Sequence, residues 1–265
     1  MTANAEPSTQ VAPNMKPEYE VKLLLKPTAV LRLDKELQDT VLSTFHMSTS
    51  VTKQSIQFLD TDSKDIYAAG WSARIRKTEN EDGLELTYKK RYAIMGGDIN
   101  AALTTANNDG FDAGDVKYEA QVEWGYQKQT LSISRKKVVE FTNSEMDLPG
   151  ESDSRAMLSD KAPDKFDKSQ GDKWGTGMLE KSRIFGPVHA KRSVGKWEGM
   201  RLFIEVWPIG KRGSTEIDYI VEASFKTESR ITASAMHDRF ISFLQDKGWF
   251  LCKDSLKTQL IMDRY

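Results

Sequence analysis

The stretch Glu18-Tyr19-Glu20-Val21-Lys22-Leu23-Leu24-Leu25 alternates charged and apolar side chains. In an extended chain successive side chains point to opposite sides, so Tyr19, Val21, Leu23 and Leu25 share one face while Glu18, Glu20 and Lys22 share the other. The same period recurs along the chain. SIQFLDT puts Ile56 and Phe58 in phase, and WSARIRK sets Ala73 and Ile75 against Arg74 and Arg76. LELTYKK opposes Leu84, Leu86 and Tyr88 to Glu85, Thr87 and Lys89, and KYEAQVEW opposes Ala120 and Val122 to Lys117, Glu119, Gln121 and Glu123. LEKSRIF carries Lys181 and Arg183 on one side. RLFIEVW and IDYIVEASFK complete the set, with Glu205 and Trp207 on one polar face and Glu222 and Ser224 on the other. The pattern predicts about eight strands, enough to close a barrel.

Helical spacing is rarer. DKELQDTVLSTF reads as a helix with Asp34 as its N-cap, and TASAMHDRFISFLQDKG as one packed through Met236, Phe240, Phe243 and Leu244 and ended by Gly248. SISRKKVVEF and the C-terminal KDSLKTQLIMDRY are weaker helix candidates. Residues 1–16 read as a disordered tail, and 17–265 as a single domain with loop insertions near 96–115 and 143–177, where Gly, Asn, Asp, Ser and Lys interrupt any period.

The chain has 265 residues, 38% hydrophobic and 29% charged, with 38 basic and 39 acidic side chains cancelling to a net charge of -1. A balanced chain is not built as a whole to hold a polyanion, so no nucleic-acid partner is expected. Cys252 is the only cysteine, read as a packed thiol, which excludes an intrachain disulfide. No apolar run marks a signal peptide or a membrane span, so a cytoplasmic protein without a membrane partner is expected. His46, His189 and His237 form no metal-ligand pattern.

A solvated sheet face also alternates, so each charged face taken alone reads as a surface. Two features argue against that. Acids and bases recur in phase on most of the strands, and Glu18-x-Glu20 and Arg74-x-Arg76 place like charges about 7 Å apart along one strand. Like charges so placed repel unless something opposite lies between them. Paired carboxylates suit a hard divalent ion, and paired arginines suit phosphate oxygens. Alternation alone leaves open whether these faces point into a barrel or out of it.

The ordered motifs resemble the triphosphate tunnel (CYTH) family, which includes thiamine and inorganic triphosphatases, class IV adenylate cyclases and messenger-RNA capping triphosphatases. Glu18-x-Glu20-x-Lys22 resembles the signature E-x-E-x-K. QFLDTDSKDIYAAGWSARIR is similar to the segment in which Asp60 and Thr61 precede Gly70 and the pair Arg74 and Arg76. LELTYK supplies Lys89, KYEAQVEW resembles the R-x-E-x-E strand with Lys117 and Glu119, and Lys181-x-Arg183 matches a K-x-R strand. RLFIEVW and YIVEASFK resemble the late acidic strands.

The resemblance implies an α+β fold, an eight-stranded antiparallel β-barrel with flanking helices whose charged faces point inward. It implies Mg²⁺ or Mn²⁺ held by Glu18, Glu20, Glu119 and Glu222. It further implies a triphosphate held by Lys22, Arg74, Arg76, Lys89, Lys117, Lys181, Arg183 and Arg192, with Glu205 and Glu222 as catalytic acids. The partner is then a small-molecule triphosphate or polyphosphate, and the protein a monomer or homodimer. Gln121, Trp207 and Ser224 stand where the family carries acids. Two readings therefore stay open: a metal-dependent hydrolase of triphosphate substrates, and a non-catalytic polyphosphate- or phosphometabolite-binding protein.

Overall fold

The computed structural model describes residues 12–141, 146–210, 213–254 and 256–265. Its strands are β1 (Glu18–Leu25), β2 (Thr52–Asp60), β3 (Trp71–Thr78), β4 (Leu84–Ile94), β5 (Glu119–Trp124), β6 (Gln129–Val139), β7 (Arg183–Trp197), β8 (Met200–Gly210) and β9 (Ile217–Thr227). They close into one barrel in the order β1-β5-β6-β4-β3-β2-β7-β8-β9. β1 and β5 run parallel, and every other neighbouring pair is antiparallel. The α+β barrel thus has nine strands, not eight, and is mixed at one seam.

β6 alone accounts for the ninth strand, and β7 is longer than expected. β6 covers most of the SISRKKVVEF segment, whose expected helix the structure replaces with a strand paired on one edge with β4 and on the other with β5. Its residues Leu131 to Ser134 are all buried, so small serines face the interior where charge would have revealed the alternation. Omitting it would leave two unpaired sheet edges. β7 is a fifteen-residue strand that runs from the end of LEKSRIF through His189 to Trp197.

The helices are α1 (Pro27–Val30), α2 (Asp39–Thr44), α3 (Asp65–Ala68), α4 (Ile99–Asn108), α5 (Glu151–Asp160), α6 (Asp164–Asp167), α7 (Trp174–Glu180), α8 (Arg230–Asp246) and α9 (Lys257–Arg264). The main apolar core lies outside the barrel wall. There Val21, Leu23, Ile75, Leu86, Val122, Ile133, Ile204 and Phe225 pack against Phe45, Leu103, Leu158, Phe166 and Phe240 from the helices. Most strands therefore spend their apolar face on the helix layer and leave their polar face to the interior; β2 is the exception, with Ile56 and Phe58 pointing inward and Gln57 bonded to Ser154 of α5 at 2.8 Å. α8 is capped by Ser229, whose hydroxyl accepts from the Thr232 N–H at 3.2 Å, and it is followed by Gly248 at φ +70°, the left-handed turn glycine tolerates.

Several local expectations are corrected. Residues 96–115 contain α4, capped by Asp98, which accepts from the Ala101 N–H at 2.9 Å, and the 143–177 stretch contains α5, α6 and the start of α7. Both segments bury too few apolar residues to display a period, yet Ile99, Leu103, Leu158 and Phe166 dock them on the wall. Of the expected tail, residues 1–11 lie outside the described residues. Met15 is buried, and Asn14 hydrogen-bonds Thr104 and Asn107 of α4 at 3.3 and 2.8 Å. Asp34 does not cap a helix: its carboxylate holds Arg32 at 3.1 Å and the Glu36 N–H at 3.1 Å in a turn, and α2 starts later. Cys252 is exposed, in the irregular segment after α8. No helix among the described residues is long and apolar enough to cross a membrane.

Candidate functional site

The inward faces enclose a cavity of about 440 Å³. Nine basic side chains line it: Lys22 of β1, Arg74 and Arg76 of β3, Lys89 and Arg91 of β4, Lys136 of β6, Arg192 of β7, Lys226 of β9 and Lys257 of α9. Four acids join them, Glu20, Glu123, Glu205 and Glu222, and Glu85 stands between Arg74 and Arg76 just behind the lining, leaving an excess of four positive charges in a chain whose net charge is -1. Beside the charged residues Ile56, Phe58, Phe185, Trp207 and Ile209 pack with Ile261 and Met262 of α9 into an apolar plug.

The acids inside are paired. Glu85 of β4 lies between the two β3 arginines, 2.7 Å from Arg74 Nη2 and 2.9 Å from Arg76 Nη2. Glu123 holds Lys89 at 2.9 Å, Lys22 at 3.5 Å and the Ser132 hydroxyl at 2.8 Å. Lys22 also meets Glu20 at 3.0 Å. Glu205 and Glu222 stand directly opposite each other on β8 and β9, and Lys257 Nζ sits between them, 2.5 Å from Glu205 Oε2 and 2.8 Å from Glu222 Oε1. Arg192 grips the other oxygen of Glu205 through Nε at 2.8 Å and Nη2 at 2.5 Å, and the Trp207 indole N–H donates to Oε2 at 2.9 Å.

Electrostatics follow from these pairs. Burial opposes ionisation of Glu205 and Glu123. The cations outweigh it, Lys257 and Arg192 at Glu205, Lys22 and Lys89 at Glu123, and hold both well below the usual carboxylate range. Burial also opposes the charge on Lys22 and Lys257, yet the facing glutamates raise both. Lys89 is different: burial dominates, Arg91 and Lys22 add to it, and its pKa falls to about 8 despite Glu123. Burial with Arg76 alongside lowers Arg74 to about 10, so it stays charged at neutral pH.

Other polar groups on the wall have no partner within the protein among the described residues. These are the Nε atoms of Arg74, Arg76 and Arg91 and both amide atoms of Gln54, a residue only 1% exposed. Native interiors rarely leave such groups unsatisfied, and a ligand with oxygen acceptors would engage the donors.

Glu20, Lys22, Arg74, Arg76, Lys89, Arg192, Glu205 and Glu222 therefore meet in one cavity. The remaining expected residues do not. Glu18 is 56% exposed at the rim, where it meets Lys226 at 3.3 Å, and Glu119, also exposed, is held by Lys136. Lys117 is exposed in the turn before β5, and Lys181 is exposed at the end of α7 before the wall begins. Arg183 sits on β7 but stacks on Phe185, meets Asp62 at 2.7 Å and donates to the Tyr265 carbonyl at 2.9 Å, tying down the chain end.

The residues that sequence reasoning missed fall into three kinds, the first being Lys136, hidden because its strand β6 reads as a helix. Arg91 and Lys226 simply continue the alternation of β4 and β9 by one step, so extending those strands would have found them. Lys257 arrives on a helix and carries no period-two signal. Gln121 accounts for one missing acid: in the amide orientation its neighbours require, it donates to Glu20 Oε2 at 3.2 Å and accepts from Lys226 at 3.0 Å.

A divalent ion of the kind the fold family implies needs several hard oxygens converging on one point. Among the described residues no three His, Cys, Asp or Glu side chains converge in that way. Glu18 and Glu119 are at the rim, Glu20 is turned to Lys22, and Glu222 holds Lys257. As arranged, the carboxylates fit internal cations and do not fit a metal.

No protein-family model and no curated protein matches the chain. Among solved structures, HpAC1 from Hippeastrum, described as having a dominant triphosphatase activity, matches with a TM-score of 0.54 at 16% identity, over 91% of this chain and 93% of that one. A candidate adenylate cyclase from Bacillus halodurans matches at a TM-score of 0.49 and 13% identity, over 92% and 96%. With its closed barrel, inward charge and outer helix layer, the chain has a CYTH-like α+β barrel fold.

Proposed function

We propose that the tunnel binds a linear triphosphate, free or as the end of a small organic molecule. The observation that carries this reading is the excess of four inward positive charges in one cavity, counted with Glu85 between Arg74 and Arg76. Guanidinium groups match phosphate oxygens two at a time, and Arg74, Arg76, Arg91 and Arg192 lie around the cavity to do so. Surrounded by protein, such contacts are screened less than they would be at the surface.

Hydrolysis of the phosphoanhydride is the reaction this reading adds. Two things favour it: the fold shared with HpAC1, and the two buried carboxylates Glu205 and Glu222 beside the phosphate-binding groups. Arg74, Arg76 and Arg192 would neutralise charge on the transferring phosphoryl group, which is the main demand of phosphoryl transfer. Glu205, held ionised by Lys257 and Arg192, suits orienting a water as hydrogen-bond acceptor better than abstracting its proton. No step is assigned to a metal.

Isothermal calorimetry with tripolyphosphate, run beside a phosphate-release assay with and without Mg²⁺ or Mn²⁺, tests both parts. Binding with release supports the hydrolase. Binding without release leaves a non-catalytic carrier, and no binding removes the triphosphate reading. Thiamine triphosphate and ATP in the same assay identify the organic part.

A further inference from the structure

Glu205 and Glu222 face each other across adjacent strands, an arrangement that is destabilising unless a cation lies between them. The cation present is the ammonium of Lys257, 2.5 and 2.8 Å from the two carboxylates and 4.4 Å above the Trp207 ring. Every part of this contact is buried or nearly so.

Lys257 is also firmly placed. It is the first residue of α9, and the helix is fastened along its length. Thr258 accepts from Arg91 at 3.2 Å, Ile261 and Met262 are buried in the apolar plug, and Asp263 meets Lys64 at 2.9 Å. Arg264 meets Asp218 at 2.6 Å, and the Tyr265 hydroxyl accepts from the Gly210 N–H at 3.0 Å. An ammonium held this way competes with any dissolved ion as an intramolecular ligand, at an effective concentration of order mM. A divalent ion entering here would also have to break the Arg192 and Trp207 contacts that occupy the rest of Glu205.

We infer that Lys257 supplies, from within the chain, the cation that Glu205 and Glu222 hold, so that the tunnel takes its triphosphate without a divalent metal ion. This rests on the reading of the tunnel as a triphosphate site.

Two measurements test it separately. The first titrates Mn²⁺ into phosphate-free protein and follows free Mn²⁺ by electron paramagnetic resonance. Wild type is expected to leave the ion free. Lys257→Met, which keeps the stem but empties the position between the carboxylates, is expected to gain a site at least about tenfold tighter. Lys257→Arg, which keeps a cation there, should behave as wild type and covers the case in which Lys257→Met does not fold. The second measures the Kd of tripolyphosphate for wild type in EDTA and in Mg²⁺, with values expected within about threefold of each other. Wild-type protein that binds one Mn²⁺ as tightly as Lys257→Met, or a Kd that tightens tenfold or more with Mg²⁺, overturns the inference. Absence of tripolyphosphate binding in both arms removes the triphosphate reading and metal-free binding with it, while the Mn²⁺ arm still decides whether Lys257 holds the cation position.

Discussion

If the tunnel takes a triphosphate as proposed, Lys89 should make its binding pH-dependent in a range where ordinary lysines do not titrate. Its ammonium meets Glu123 of β5 at 2.9 Å, with Lys22 of β1 and Arg91 of β4 as the nearby like charges. Its cross-strand neighbours Ser72 of β3 and Ser134 of β6 carry no charge. Burial and the two cations outweigh Glu123, and the pKa falls from 10.5 to about 8. A bound triphosphate adds negative charge and raises it again. Above pH 8 the ligand-free side chain is neutral and the bound one charged, so binding takes up a proton. At pH 9 about one Lys89 in eleven is protonated, and Kd should rise about tenfold over its value at pH 7, about 1.4 kcal/mol. Calorimetry at pH 7, 8 and 9 in two buffers of different ionisation enthalpy counts the proton. Lys89→Arg is the reference, since its guanidinium stays charged and the ligand's own titration is common to both proteins. A wild-type to variant Kd ratio that stays constant from pH 7 to 9 would refute the reasoning. The ligand-free protein carries the opposite signature. Between pH 8 and 10.5 the folded state binds fewer protons at Lys89 than the unfolded state, so this residue's contribution to stability rises with pH in that window.

Three further outcomes are expected. Glu85→Gln removes the carboxylate between Arg74 and Arg76 and should cost about 3 kcal/mol in chemical denaturation; tripolyphosphate should then raise the melting temperature more in the variant than in wild type, and equal shifts would contradict this. Arg192→Gln should weaken tripolyphosphate binding about tenfold, at the strength of a charge-assisted contact, whereas Lys181→Ala should leave Kd within about twofold; equal losses would return Lys181 to the site. Gln54→Met removes an unsatisfied buried amide and should stabilise the ligand-free protein by about 1–2 kcal/mol while weakening tripolyphosphate binding; a lower melting temperature would show that the amide is satisfied by ordered water.

The strands legible in the sequence are those whose two faces meet different surroundings. β1, β3, β4, β5, β8 and β9 each set apolar residues on the helix layer and charge on the tunnel, so period two is visible. In β6 the tunnel face carries Ser132 and Ser134, which are buried and small, and contrast between the faces disappears. Spacing also misleads where the strand starts late. Lys181-x-Arg183 has the rhythm of Arg74-x-Arg76, but β7 begins only at Arg183, so Lys181 is never on the wall. Lys257 could not be read at all. It reaches Glu205 and Glu222 across 52 and 35 residues of chain, and nothing local marks it.

The like-charge argument gains a different meaning once the register is known. Arg74 and Arg76 demand an anion between them, and Glu85 already supplies it; Glu205 and Glu222 demand a cation, and Lys257 supplies it. The barrel can therefore fold with its charge largely compensated and no ligand present. What remains for a ligand is the surplus, and each internal carboxylate is a competitor that a phosphate must displace or share. Affinity then follows the difference between cations and acids inside the tunnel more closely than the number of cations. A variant that loses an inward acid such as Glu123 should bind triphosphate more tightly even as it becomes less stable, which a wall of independent cationic contacts would not produce.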